Sequence, residues 1–256
     1  MIFNYFQLVD MQAKMKMKAQ ANKLVLSYMW WLLEPLLFVS LFYVVFGYIL
    51  QRGGEDFFSF LVIGKIVFMW FSKSVVSAST SLIQNKGIIG QRSLPKWIFP
   101  MVNIQESLYK SIFSFFIMIV LVLTKGYSVS IFWLQLIPLS MLLYLLICGL
   151  GMFFSILVSI AKDFSNLISL FMMGLMFSSG IFWDINQIES KALVDILYLV
   201  NPMLAIITAY RDIIMHNMVV DIYNLLPTLM ISIVLILGST VALNKFNNKI
   251  TRILFS

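Results

Sequence analysis

Histidine and cysteine occur once each in this chain of 256 residues, as His216 and Cys148. A structural zinc site takes four nitrogen or sulfur ligands, so no such centre can be assembled, and a lone cysteine closes no intrachain disulfide. Cys148 lies inside an apolar run, where a thiol serves packing. A nucleotide-binding G-x-x-x-x-G-K-[ST] loop is also missing. The nearest string, "GIIGQRS" at 87–93, lacks both the lysine and the spacing. No Ser/His/Asp set converges, because His216 falls near the outer end of an apolar stretch. The chain is therefore expected to be no enzyme, with no catalytic residue, no metal and no cofactor of its own. Charge is the other shortage. Only 11% of residues are charged and 61% are hydrophobic, with a mean hydropathy of +0.95. A soluble domain, about a quarter charged on average, cannot hide that much apolar surface. No cleavable leader is expected, since the first apolar run is too long and lacks a small-residue cleavage site.

What fills the chain instead is hydrocarbon. A membrane-crossing helix needs about 20 mostly apolar residues. Six stretches qualify: 29–50, 57–81, 97–124, 132–160, 164–183 and 224–243. The predicted fold is an all-α integral membrane domain over 1–256. It has six spans, an amphipathic interface helix at 3–23 and a re-entrant pair of short helices at 186–216, between spans five and six. The third and fourth stretches are long enough to tilt, kink or emerge from the bilayer.

The distribution of basic residues orients the spans. With both termini cytoplasmic, the inner segments hold Lys14, Lys16, Lys18, Lys23, Lys86, Arg92, Lys96, Lys162, Lys245, Lys249 and Arg252. The outer segments hold only Arg52, Lys125, Lys191 and Arg211, with Lys65, Lys73 and Lys110 inside spans. Most acids fall outside: Glu55, Asp56, Asp184, Glu189, Asp195, Asp212 and Asp221. This bias places both termini in the cytoplasm. The net charge of +7 thus reports topology and anionic headgroups, and nucleic acid is not expected as a partner.

Three segments depart from plain spans. In 3–23, Phe3, Phe6, Met11 and Met15 share a face and Lys14 and Lys18 another, the pattern of a helix lying in the membrane interface. The loop "IQNKGIIGQRSLPKWIFP" at 83–100 packs two glycines, two prolines and three basic residues into a short space. It suits a short surface helix open to a cytoplasmic partner, or a tight turn carrying inner charge. The stretch 192–215 is apolar enough for a seventh span, yet it contains Asp195, Asn201–Pro202 and Arg211–Asp212. A mid-bilayer charge costs about 2.5–3.5 kcal/mol on insertion scales. Two short helices broken at Asn201–Pro202 are expected instead. Their backbone requires protein or water around it.

Lys65 and Lys73 interrupt the second span, "LVIGKIVFMWFSKSVV" at 61–76. Each is close enough to one end to snorkel. Lys73 is alternatively expected to pair with Glu106, which also has Lys110 at i+4.

The order of these pieces resembles the permease subunit of type-2 ABC exporters of polysaccharide. It is carried by "YMWWLLEPLLFVSLFYVVFGYIL" after the amphipathic arm, "NKGIIGQRSLPKWIFP" and "AKDFSNLISLFMMGLMFSSGIFW". The most specific piece is Asn-Pro…Tyr-Arg-Asp in "NPMLAIITAYRDIIM". The resemblance implies a homodimer in the bacterial inner membrane, with two copies of a separate ABC ATPase that binds ATP and Mg. It implies a lipid-linked glycan of O-antigen, capsule or teichoic-acid type as substrate. On this resemblance Asn85, Lys86, Gly87, Gln91, Arg92, Pro95 and Lys96 belong to a coupling helix. Asn201, Pro202, Tyr210, Arg211 and Asp212 shape the channel exit. Lys65 and Lys73 are not part of the family's pattern; by their own chemistry, cations beside the rings of Trp70, Phe71 and Tyr109, they are expected to line a dimer passage for pyrophosphate or acidic sugars. A type-2 permease for a drug or small lipid is the alternative within transport. A scaffold that recruits glycan-assembling enzymes is the alternative outside it.

Overall fold

The structure is a computed structural model describing residues 2–22, 29–49, 56–91 and 94–255. Lys23, Arg52, Glu55, Arg92 and the side chain of Phe3 lie outside the described residues.

The secondary structure among the described residues is helical throughout. In hydrocarbon every backbone N–H and C=O must be satisfied within the chain, and a helix does this segment by segment. Helix α1 (Ile2–Ala21) precedes α2 (Trp30–Phe42), which runs on into a π-helical stretch, Tyr43–Ile49. Next come α3 (Phe57–Ser79), the short α4 (Ser81–Gln84) and α5 (Lys86–Gln91), and α6 (Ile98–Thr124). A 3-10 turn at Ile131–Gln135 leads into α7 (Leu136–Ile160), followed by α8 (Phe164–Ser178). Helices α9 (Lys191–Val200), α10 (Pro202–Ile214), α11 (Ile222–Lys245) and α12 (Asn247–Phe255) complete the chain.

Five of these segments are long and apolar enough to cross a membrane: Trp30–Ile49, Phe57–Ser79, Ile98–Thr124, Ile131–Ile160 and Ile222–Lys245. The predicted fifth span, 164–183, is shorter than expected. Its helix stops at Ser178 after 15 residues, about 22 Å at 1.5 Å per residue against a hydrocarbon core of about 30 Å. Gly180, at φ +69°, turns the chain there. The segment 192–215 is not one straight helix: α9 and α10 meet at 108°. Asn201 caps α10 with its side-chain oxygen, 3.1 Å from Met203 N and 3.2 Å from Leu204 N. Pro202 takes the first helical position, where its missing N–H is not needed.

Helix α3 is the hub, packed against α2, α6, α7, α8 and α10. Small residues allow the close approaches. A Cβ on Gly151 of α7 would lie 2.9 Å from Ala78 Cβ of α3, and one on Gly149 would lie 3.1 Å from the Ser232 carbonyl of α11. Helices in lipid gain stability chiefly from such packing. Helix α1 leans along the start of α6. Val9 packs with Ile98 and Val102, Lys16 reaches Asn103 and Gln20 reaches Lys110. Phe6, Met11 and Met15 stay exposed.

Candidate functional site

Charge inside the bundle is concentrated in one place. A cavity of about 350 Å³ opens between α2, α3 and α6, with Gln20 of α1 at its edge. Glu34, Lys73, Glu106 and Lys110 line it together with Trp30, Trp31 and Trp70. The expected Lys73–Glu106 pair does not form. Lys73 pairs with Glu34, one turn into α2, because α2 and not α6 faces that side of α3. Glu106 instead takes Lys110 and, from α1, Lys16 at 3.3 Å. The Glu106 side chain is only 3% exposed, so its two lysines offset the loss of hydration. Lys16 also donates to Asn103 Oδ1 at 2.6 Å. Asn103 Nδ2 donates to the Ser77 carbonyl at 2.7 Å. On the cavity wall two lysines balance two carboxylates, and three indole rings border them. Such a cavity suits a polar group with flat apolar faces beside it.

The other residues expected to line a passage lie elsewhere. Lys65 does not snorkel. It is 7% exposed and ends 3.1 Å from Met176 Sδ, over the rings of Phe38 and Phe42 at 5.0 and 5.1 Å. Among the described residues no carboxylate pairs with it, and aromatic faces take that role. Phe71 is in the packed core at 1% exposed and not on the cavity wall. Tyr109 faces α1, where its hydroxyl donates to Asp10 and its ring lies 5.8 Å from Lys14 Nζ.

The loop between α3 and α6 is built as a braced helix. Asn85 interrupts the run from α3, accepting from Ile88 N and Ile89 N and donating through Nδ2 to the Ser81 carbonyl at 2.8 Å. A Cβ added at Gly87 would meet nothing within 4 Å, and Gln91 is exposed. Ile88 is a large apolar side chain, 46% exposed in the middle of α5. Reading the loop for its glycines and charges passes over Ile88, although an isoleucine beside a glycine in a polar loop is a visible signal. Lys86 points back over the Phe255 ring at 4.7 Å. Pro95 supports the start of α6 through its carbonyl, which accepts from Ile98 N.

Lys96, expected within the coupling helix, is turned inward onto α12. It is 2% exposed and donates to the Asn247 carbonyl, Asn247 Oδ1 and Thr251 Oγ1. Burial pushes its pKa below the ordinary lysine range. Helix α12, which holds it, passes in the sequence for a basic tail. Its signal is the i, i+4 pair Ile250 and Leu254, both buried.

At the opposite end the Asn-Pro…Tyr-Arg-Asp residues form a knot. Asn201 Nδ2 donates to the Ser178 carbonyl at 3.0 Å. Tyr210 is buried, its hydroxyl 2.6 Å from Ser140 Oγ. Arg211, 5% exposed, donates to the Gly180 carbonyl at 2.7 Å, to Phe60 O at 3.0 Å and to Ile181 O at 3.3 Å. Its guanidinium lies 3.3 Å from the Phe60 ring centroid. Asp212 is half-buried, and its carbonyl accepts from Met218 N at 2.9 Å.

Five long apolar helices, a short one and a bent pair define a multi-pass membrane protein. The chain matches the ABC-2 type transporter family over residues 16–215, and it belongs to that family. It is 24% identical over 213 residues to an O-antigen export system permease protein RfbA of Klebsiella pneumoniae, covering 83% of this chain and 82% of the relative. Against the protein of that name from Myxococcus xanthus the identity is 19% over 237 residues, 92% and 90% of the two chains. A polysialic acid transport protein KpsM of Escherichia coli is 25% identical over 205 residues, 78% of each chain.

Proposed function

We propose that this chain is the membrane-spanning subunit of an ATP-driven exporter that carries a lipid-linked polysaccharide out of the cytoplasm. The polymer is of the O-antigen, capsule or teichoic-acid type. The observation that carries this reading is agreement between relatives of two polysaccharide systems, O-antigen export and polysialic acid transport, each aligned over at least 78% of both chains. The protein works as a homodimer in the bacterial inner membrane, both termini cytoplasmic, with two copies of an ABC ATPase that binds ATP and Mg. Catalysis belongs to that ATPase.

The geometry supports this division of labour. Helix α5 offers Ile88 and Gln91 to the ATPase, while Ile89 anchors it in the core. Because α5 continues the chain of α3 through Asn85, a push on α5 reaches the hub of the bundle. The α9–α10 pair returns within the outer leaflet as a re-entrant hairpin. Its Asn201 and Arg211 side chains hold it to backbone carbonyls at the end of α8 and the start of α3. The charged, tryptophan-bordered cavity receives the substrate on the cytoplasmic side.

The test is the lipid-linked glycan, sorted by membrane leaflet, in cells depleted of this protein. Accumulation on the cytoplasmic leaflet with loss of surface glycan is the expected result. Unchanged surface glycan would sink the proposal.

A further inference from the structure

A cavity of about 390 Å³ opens at the seam between α5 and α12, and its wall is mostly polar: Gln91, Lys96, Asn247, Asn248 and Thr251 line it. Lys96 is the charge in that wall. It is 2% exposed, and among the described residues only neutral oxygens meet it, those of Asn247 and Thr251. A buried lysine normally has an acid beside it. The flanking sequence supplies none, since there is no Asp or Glu from 86 to 105 or from 222 to 256. A buried cation without a counter-charge therefore borders an open polar space.

The seam continues the exposed face of α5. Gln91 lines the cavity, and Gly87, Ile88 and Gly90 beside it are exposed. Helix α12 extends that face with charge. Its Ile250 and Leu254 are buried, while Lys249 and Arg252, on the opposite side of the helix, are exposed. Within the cavity Lys96 takes up the Asn247 side-chain oxygen, which leaves the amide nitrogen of that side chain to donate elsewhere. With the amides of Gln91 and Asn248 it offers N–H groups to an acceptor, and the ammonium behind them favours a negative one. A phospholipid phosphate would bring two acyl chains. The apolar residues of the wall, Ile89 and Leu94, are too few to take them. An acidic side chain carries no such burden.

Resting on the exporter reading above, we propose that this seam is a docking site for the ABC ATPase, which inserts an acidic side chain, Asp or Glu, between α5 and α12. The carboxylate accepts from the amides of Asn247, Asn248 and Gln91, and Lys96 balances its charge. Lys249 and Arg252 meet further acids on the same partner. One contact thus engages both helices.

The test uses membranes that hold the full-length protein with its ATPase, and a carbodiimide, which joins an amine to a carboxylate in contact with it. Asn248→Lys places an amine on the cavity wall at an exposed position. An amide link is expected between that amine and an Asp or Glu of the ATPase, recognised by peptides of its nucleotide-binding loop. Lys249→Glu combined with Arg252→Glu changes only exposed residues and leaves the Lys96 contacts in place. It is expected to lower the ATPase retained on the purified protein about tenfold. A photoreactive side chain at Ile88 reports docking on α5 by itself. Capture of the ATPase from Ile88 without a link from position 248 would overturn the seam site and leave the exporter reading standing. So would a link from position 248 to phospholipid, or full retention by the double variant. If no ABC ATPase is captured from Ile88 either, the exporter reading falls with it.

Discussion

Arg211 carries a guanidinium into the bundle where, among the described residues, no carboxylate meets it. Three backbone carbonyls and the Phe60 ring do so instead. These carbonyls come from the start of α3 and the turn after α8, so one side chain pins α10 to both. Lysine lacks the planar fork that reaches several acceptors at once. Arg211→Lys is expected to cost about 3 kcal/mol, read as a lowered thermal midpoint of the detergent-solubilised protein. Gly64 belongs to the same device, since a Cβ there would lie 2.5 Å from Arg211 Nη2. Gly64→Ala should therefore lower the midpoint in the same way. Glu106 makes the converse case, a buried acid shared by two lysines. Glu106→Gln leaves both cations without their counter-charge and is expected to destabilise by about 3 kcal/mol. Breaking the exposed Lys14–Asp10 pair should leave the midpoint nearly unchanged in the same assay. A midpoint for Glu106→Gln equal to the parent would show that water in the cavity carries the charge. The lysines of α3 are conspicuous in the sequence, but their partners are not. Pairing depends on which neighbour each face of α3 meets, and residue spacing does not encode that.

At the scale of elements, α12 is a clasp on α5. Lys96 is locked to Asn247 and Thr251, and Phe255 fills the space over Gly90. A chain ending at Phe246, or one with Lys96→Met, is expected to keep its place in the membrane while export falls at least tenfold. ATPase activity in the reconstituted complex should then cease to respond to substrate. Equal export by the shortened chain would remove the clasp. Helix α1 is tied to α6 by Asp10, whose carboxyl is held below the usual carboxylate range by its bond to Lys14 and then by the Tyr109 hydroxyl. A lowered carboxylate pKa gives a contribution that is complete above about pH 4 and fades as pH falls through the lowered value. Amide exchange across Ile2–Ala21 is thus expected to show no opening of α1 between pH 6 and 8. Asp10→Asn should speed exchange at both pH values. The span positions are legible in the sequence because 20 apolar residues in a row have few other fates. The end of α8 at Ser178 is not legible, since the apolar run continues to Trp183 and only the turn at Gly180 stops the helix.

For the whole molecule the test is topology. Cys148 is buried, so a Cys148→Ser background allows single cysteines to be placed at will. With both termini inside, a cysteine at Asn217 is expected to react with an impermeant reagent in intact cells. Cysteines at Ile88 and Lys249 should react only after permeabilisation. Outside labelling at Lys249 would mean an odd number of crossings, with the bent α9–α10 pair as a full span.

The sequence alone determined that this is a helical membrane protein, where most of its helices lie and which loops concentrate its basic residues. These follow from local composition, because the bilayer tests each segment of about 20 residues on its own. Tertiary structure decided that Lys73 meets Glu34, that Lys96 is consumed by α12 and that Arg211 braces the bent α9–α10 pair. It also decided that α5 and α12 border one polar cavity beside Lys96. Each of these joins residues far apart in the chain, and their distances are set by how helices cross, which no local stretch of sequence specifies.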